Sequence, residues 1–386
     1  MRDRYSIVLL ALLALLLAAC ANPVRSTGEA AAPTNGEVAA NGAAAQGLFT
    51  GNCTPEGTLR LWNRPGAMDP EIMAQFATLY GVDVKEEQVA DEEEMIRGVR
   101  AGNSGYDLVF PSDVVVAHMI EGGLLRELDR ANIPNGANLN PGLMDLPYDP
   151  GNRYTLPYLW SVTGIAYNAT YFNEPPGSWA HLLDPDLALQ VGLFSMLDDG
   201  PATLVAALQY LGYSANDGNP EHLAEARDLL LGLQGYPNFM GYDSVAWAQA
   251  LEEEQLQLAH AESSEAARAA SRNEAIRFVV PEEGGIIRQT NVAIPADAPN
   301  PCSAELFINY LLQPEIAAQL VRYTYANSPV PAAPLLLDPL TQELMARGFL
   351  PDAQTMERLE WLGGQQTARF EEMWTEVRGE PPMIEP

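Results

Sequence analysis

Two carboxylate clusters, Asp198-Asp199 and Glu252-Glu253-Glu254, and four histidines are the side chains here whose types could serve acid–base or metal chemistry. The histidines (His118, His181, His222 and His260) are scattered, and none stands at ligand spacing to another. The triple glutamate reads as the solvated face of a helix. Asp199 is better placed, because it follows a strand, and α/β proteins bind ligands at strand ends that face a crevice. The chain has no HExxH, no phosphate loop, no GxGxxG and no nucleophile elbow. No metal, no cofactor and no nucleophile–base pair is expected, and an enzyme is not indicated.

By position, the candidate contacts for a small solute fall at the ends of expected strands. Trp62, Asn63 and Arg64 follow the first strand, and Ser112 and Asp113 follow the third. Trp160 and Ser161 lie where the chain crosses between lobes. Asp199, Tyr242, Asp243, Glu262 and the stretch from Arg288 to Thr290 complete the set. A carboxylate suits an ammonium, an aromatic ring suits a methylene chain or a cation, and a guanidinium suits a carboxylate.

The elements that must position these residues alternate. Thr58 to Trp62 reads as a strand, and Asp69 opens a helix with Ile72, Phe76 and Leu79 at helical spacing. Val82 to Glu86 is a strand and Glu92 to Val99 a helix. Asp107 to Phe110 is an apolar strand, and Pro111-Ser112-Asp113 caps the next helix, Val114 to Glu121. That order predicts a parallel α/β lobe. A second unit has strands at Thr163 to Asn168, Val191 to Met196, Gln257 to Ala261 and Arg277 to Val280. Helices are expected at 178–183, 202–211, 222–231 and 245–253. A further strand, Asn291 to Pro295, precedes the helix Cys302 to Leu312, and the stretches 314–321, 339–345 and 353–379 read as helical.

The first residues look like an address. Arg2 and Arg4 precede an apolar run from Ile7 to Ala19 that ends at Cys20, too short for a span that needs roughly 20 residues. Leu17-Ala18-Ala19-Cys20 reads as a lipoprotein cleavage box, with residues 1–19 as signal peptide and Cys20 as the lipidated N-terminus. Residues 20–52, rich in Ala, Gly, Pro, Asn and Thr, are expected to be a flexible tether. An extracytoplasmic, lipid-anchored location follows. The formal net charge is -30, from 21 basic and 51 acidic side chains, and Lys85 is the only lysine. Such a surface repels nucleic-acid phosphates and anionic headgroups and draws cations toward clefts. With Cys20 committed, Cys53 and Cys302 remain, and in an exported chain they are expected to pair.

Eight segments in order give a resemblance. Leu61-Trp62-Asn63, Tyr106 to Ser112, Leu156 to Trp160 and Ser178 to Leu182 are the first four. Leu211 to Asn216, Val280 to Gly285, Ala293-Ile294-Pro295 and Pro351-Asp352-Ala353 follow. Together the chain resembles bacterial spermidine/putrescine-binding proteins, within the extracellular solute-binding family. The resemblance implies a two-lobed periplasmic-binding-protein-like fold (type II) with crossing hinge strands. It implies lobe one from 53–161 and 291–330, and lobe two from 162–290 and 331–386. The partners would be an ABC permease and its ATPase, and the protein would act as a monomer that captures polyamine between its lobes. In that pattern Trp62 is the first aromatic, Ser112 a polar contact, and Asp199 and Glu262 the carboxylates. The pattern's second acidic residue falls at Ala202, its tryptophan near His260, and its later acidic and aromatic positions at Ile287 to Thr290. Arg64 and Arg288 lean toward another small polar, zwitterionic or anionic solute. A surface sensor without transport is the other class.

Overall fold

The computed structural model describes residues 51–89, 91–351, 356–360 and 364–379. The expectations for the signal peptide, Cys20 and most of the tether lie outside these residues. Among the described residues no helix is long and apolar enough to cross a membrane.

The first lobe starts as β1 (Thr58–Asn63), α1 (Pro70–Tyr80), β2 (Asp83–Gln88), α2 (Glu92–Ala101), β3 (Leu108–Val109) and α3 (Asp113–Glu121). Local chemistry sets these bounds. Asp69 accepts from the Glu71 amide at 2.9 Å, Pro70 fills the first helical position, and Gly81 closes α1 at φ 69°. β2, β1 and β3 pair in parallel, in that order. Three short 3-10 segments then lead to β4 (Thr155–Asn168), 14 residues with every one buried. A strand covered on both faces shows no polar alternation. The sequence pattern therefore yields only its second half, Thr163 to Asn168.

The second lobe follows as α4 (Ala180–Leu183), α5 (Pro185–Ala188), β5 (Phe194–Met196), α6 (Gly200–Tyr210), α7 (Pro220–Leu233) and β6 (Phe239–Tyr242). Next come α8 (Trp247–Glu252), β7 (Leu258–Glu262), α9 (Ser263–Ala270) and β8 (Ile276–Val279). β9 (Ile286–Ala293) returns the chain, and α10 (Pro301–Leu311), α11 (Pro314–Thr324), α12 (Pro339–Met345), β10 (Glu357–Arg358) and α13 (Gly364–Arg378) complete it.

β4 and β9 are the crossing strands. β4 pairs antiparallel with β9 from Thr155↔Ala293 to Val162↔Ile287, then with β7 from Thr163↔Glu262 onward. β9 also reaches β3 through Val109↔Ala293, and β5 joins β7 and β6 in parallel. The chain thus has two α/β lobes joined by crossing strands, the architecture that the resemblance implies. Helices α10 and α11 go back to the first lobe. Phe76 packs against Phe307 and Tyr310 with ring centroids 4.9 and 5.5 Å apart. Cys53 is disulfide-bonded to Cys302. α13 covers the second lobe, where Trp374 meets Tyr242 edge-on and Arg227 pairs with Glu376 at 3.0 Å.

Three expectations need correction. The return strand begins at Ile286, five residues before the expected Asn291, so Arg288 and Thr290 lie within a strand. The stretch 353–379 is not all helix, because Glu357–Arg358 forms β10 against Ile286 and Ile287. Glu357 is held there by the Ser214 hydroxyl at 2.6 Å and the Ala215 amide, a tertiary tie that overrides local propensity. The strand expected from Val191 begins at Phe194, after Gly192 at φ 83°.

Candidate ligand cleft

Alternation along β9 puts Arg288 and Thr290 on one face and Ile287, Gln289 and Asn291 on the other. The first face lines a cavity of about 210 Å³ between the lobes. Arg64 and Ser112 come to it from the first lobe, and Glu262, Glu265 and Arg268 from the second. Trp160 and Ser161 line it at the crossing.

Arg288 organises the charges. Its Nη1 lies 2.7 Å from Asp199 Oδ2 and its Nε 3.5 Å from Glu262 Oε1. Asp199 Oδ1 accepts from the Ala202 amide at 3.0 Å and caps α6, so each of its oxygens has a task. Burial opposes ionisation of Asp199, but the Arg288 guanidinium and the Ala202 amide outweigh it and hold the carboxyl below its ordinary value. Arg288 is in turn raised, chiefly by Asp199. His260, fully buried beside them, is pushed down to about 3 by burial, so it stays neutral. It meets Thr203 Oγ1 at 3.4 Å and packs edge-on against Trp179.

Around this centre the walls are polar. Ser161 donates to Glu262 Oε2 at 3.3 Å. Glu265 pairs with Arg268 at 3.4 Å, and Arg268 also donates to the Thr324 carbonyl. Arg64 donates to Thr290 Oγ1 at 3.4 Å. Among the described residues no carboxylate pairs with Arg64, which is exposed at the end of β1.

The other candidates are placed as follows. Asp199 is not among the residues lining the cavity; Arg288, which lines it, is 2.7 Å from its carboxylate. Trp62 is buried, stacked on Tyr106 at 4.5 Å, and closed in by Gly98; it is core, not a platform for solute. Asn63 is buried and donates to Glu86 at 3.2 Å. Ser112 lines the cavity, but its amide and hydroxyl are taken by Glu92 at 2.6 and 2.8 Å. Asp113 is buried away from the cavity, where it meets the Gln289 amide at 3.3 Å and Arg358 at 3.5 Å. Tyr242 donates to the Leu230 carbonyl at 2.9 Å inside the second lobe. Asp243 caps the turn into α8 by accepting from the Val245 and Ala246 amides.

Sequence reasoning missed Glu265 and Arg268. Their signal was present: Glu265 and Arg268 stand three residues apart, at helical spacing, on α9 directly after the strand end at Glu262. Arg358 gave no local signal, since only the β10–β9 pairing brings it to Asp113. No group of three potential metal-ligating side chains converges among the described residues.

Residues 71–343 match the family model described as bacterial extracellular solute-binding protein. The chain is 31% identical over 333 residues to a putrescine/cadaverine-binding protein of Pseudomonas aeruginosa, covering 83% of this chain and 93% of that one. It is 30% identical over 343 residues to the spermidine/putrescine-binding periplasmic protein of Escherichia coli, covering 88% and 97%. Among solved structures, the spermidine/putrescine ABC transporter substrate-binding protein PotD of Streptococcus pneumoniae superposes with a TM-score of 0.75 at 29% identity, over 84% of this chain and 99% of that one. The Tp0655 lipoprotein of Treponema pallidum gives 0.73 at 25% identity, over 84% and 100%. The chain belongs to the bacterial extracellular solute-binding proteins of ABC transporters. It is an extracytoplasmic receptor that delivers a small solute to a permease, and its work is binding, not catalysis.

Proposed function

We propose that the solute of this receptor is a small aliphatic amine that also carries a carboxylate. The observation behind this reading is the charge layout of the cleft: Arg64, without a carboxylate partner among the described residues, lines the first-lobe wall, while Glu262 lines the second. Glu262 shares the Arg288 guanidinium with Asp199, so two carboxylates divide one positive charge and keep an affinity for an ammonium. A solute with opposite charges at its ends meets both walls and favours closure through contacts that the open form lacks. A plain diamine would bring a second ammonium toward Arg64 with nothing to offset its desolvation.

Polyamine capture is the second reading, and the relatives favour it. The proteins about 30% identical over most of this chain are named for putrescine, cadaverine or spermidine. Glu262 and Glu265, the carboxylates on the cavity lining, would then serve the ammonium groups. A thermal-shift panel of linear amino acids, diamines, spermidine and dicarboxylates separates the two. The first reading expects the amino acids to give the largest shift, and Arg64→Ala to weaken their binding about tenfold, or about 1.4 kcal/mol. A shift with diamines alone, indifferent to Arg64→Ala, would establish the second reading and remove the first.

A further inference from the structure

Arg288 lines the cleft while Asp199, its nearest carboxylate, does not. We propose that Arg288 is the specificity-determining residue of this receptor: its guanidinium occupies the ammonium position between Asp199 and Glu262, and replacing it with a neutral side chain opens the cleft to linear diamines. The proposal rests on the reading of this cleft as the solute site and adds a cause for its selectivity.

Three elements build the position. Asp199 comes from the N-terminus of α6, Glu262 from the end of β7, and Arg288 from the middle of β9. Two carboxylates from separate elements converge on one cation, which is the arrangement a bound ammonium requires. The cation here is covalently part of the chain. Among the described residues Arg288 is the arginine paired with Asp199 and Glu262, and the buried imidazole of His260 next to Asp199 is neutral. Asp199 also spends its second oxygen on the Ala202 amide, so it is fixed in place and aimed at whatever cation stands before it.

Remove the guanidinium, and the cleft deepens onto Asp199. It then offers two carboxylates and the Ser161 hydroxyl beside Glu262, with Trp160 among the residues at the lining. That set suits a protonated amine on a methylene chain. The same change removes one of the positive charges that hold a solute's carboxylate. Selectivity should therefore invert, not merely weaken. An arginine that only stapled α6 to β9 would give no such inversion; its loss would lower stability and leave diamine affinity where it was.

The test is calorimetric titration of the full chain and Arg288→Gln with putrescine and cadaverine. The proposal expects the glutamine variant to bind at least one diamine about tenfold tighter than the unaltered protein. Arg288→Lys, which keeps a cation in place, should remain within about threefold of the unaltered protein. A smaller gain in the glutamine variant, or an equal gain in the lysine variant, would overturn it. If Arg288→Gln is recovered unfolded, the double variant Arg288→Gln with Glu262→Gln carries the test. It removes one carboxylate along with the guanidinium and leaves Asp199 for the ammonium, so diamine binding tighter than in the unaltered protein is still expected, and its absence would overturn the proposal. Titration of the unaltered protein decides the solute class by itself. The change on substitution decides the role of Arg288, so the two readings can fail separately.

Discussion

Two arginine–carboxylate groups flank β9, and they behave oppositely. On the cleft face Arg288 meets Asp199 at 2.7 Å and Glu262 at 3.5 Å, and Asp199 is held below its ordinary carboxyl value. On the other face Arg358, in register with Ile287, stands 3.5 Å from Asp113. There burial dominates: it pushes Asp113 up to about 6, although Arg358 and Arg288 pull it down. Burial likewise lowers Arg358, whereas Asp199 raises Arg288. Both groups pair an arginine with a carboxylate. The difference is donors and distance, since Asp199 has a backbone amide and a close guanidinium while Asp113 has two long contacts. An ion pair's geometry, more than its composition, decides whether it offsets desolvation.

The largest effect should come from breaking the cleft-face group. Asp199→Ala removes a helix cap and leaves Arg288 with one carboxylate at 3.5 Å, which should cost about 3–5 kcal/mol of unfolding free energy. Urea unfolding at neutral pH measures it. A loss below about 1 kcal/mol would mean that Arg288 is adequately held without Asp199.

The next test sharpens the contrast through pH. Asp113, raised to about 6, takes up its proton in the folded protein before the unfolded chain does, so it adds stability as pH falls from about 6 to below 4. His260, lowered to about 3, does the reverse: the unfolded chain is protonated first, and stability is lost as pH falls through about 6.5. Asp113→Asn should therefore steepen the loss of stability toward acid by up to about 3 kcal/mol relative to the unaltered protein. Parallel pH profiles for the two proteins would show that Asp113 titrates normally.

The smallest effect is a control outside both groups. Tyr242→Phe deletes the hydroxyl that donates to the Leu230 carbonyl, at about 1 kcal/mol of stability, with solute affinity unchanged. A clear loss of affinity, measured by the same titration, would return Tyr242 to the cleft.

The sequence pattern already carried the alternation of strands and helices in the first lobe, because caps and breakers such as Asp69 with Pro70, and Gly81, are local. Asp199, Glu262 and Arg288 were visible as candidates because strand ends and charged types are visible. Their mutual arrangement was not, since α6, β7 and β9 meet only in the fold. The same limit explains Trp62. A tryptophan at a strand end reads equally as platform or as packing, and only Tyr106 and Gly98, distant in sequence, decide for packing. β4 escaped for the opposite reason, having no alternation to read.

In the cleft as proposed, Arg288 and Arg64 turn an ammonium-binding site into one for an amine with a carboxylate. Cadaverine and 5-aminovalerate share a five-carbon chain and differ at one end, amine against carboxylate, so calorimetric titration of the unaltered protein with both is the most direct test. 5-Aminovalerate should bind at least about tenfold tighter than cadaverine. Tighter binding of cadaverine, with 5-aminovalerate undetected, would contradict it.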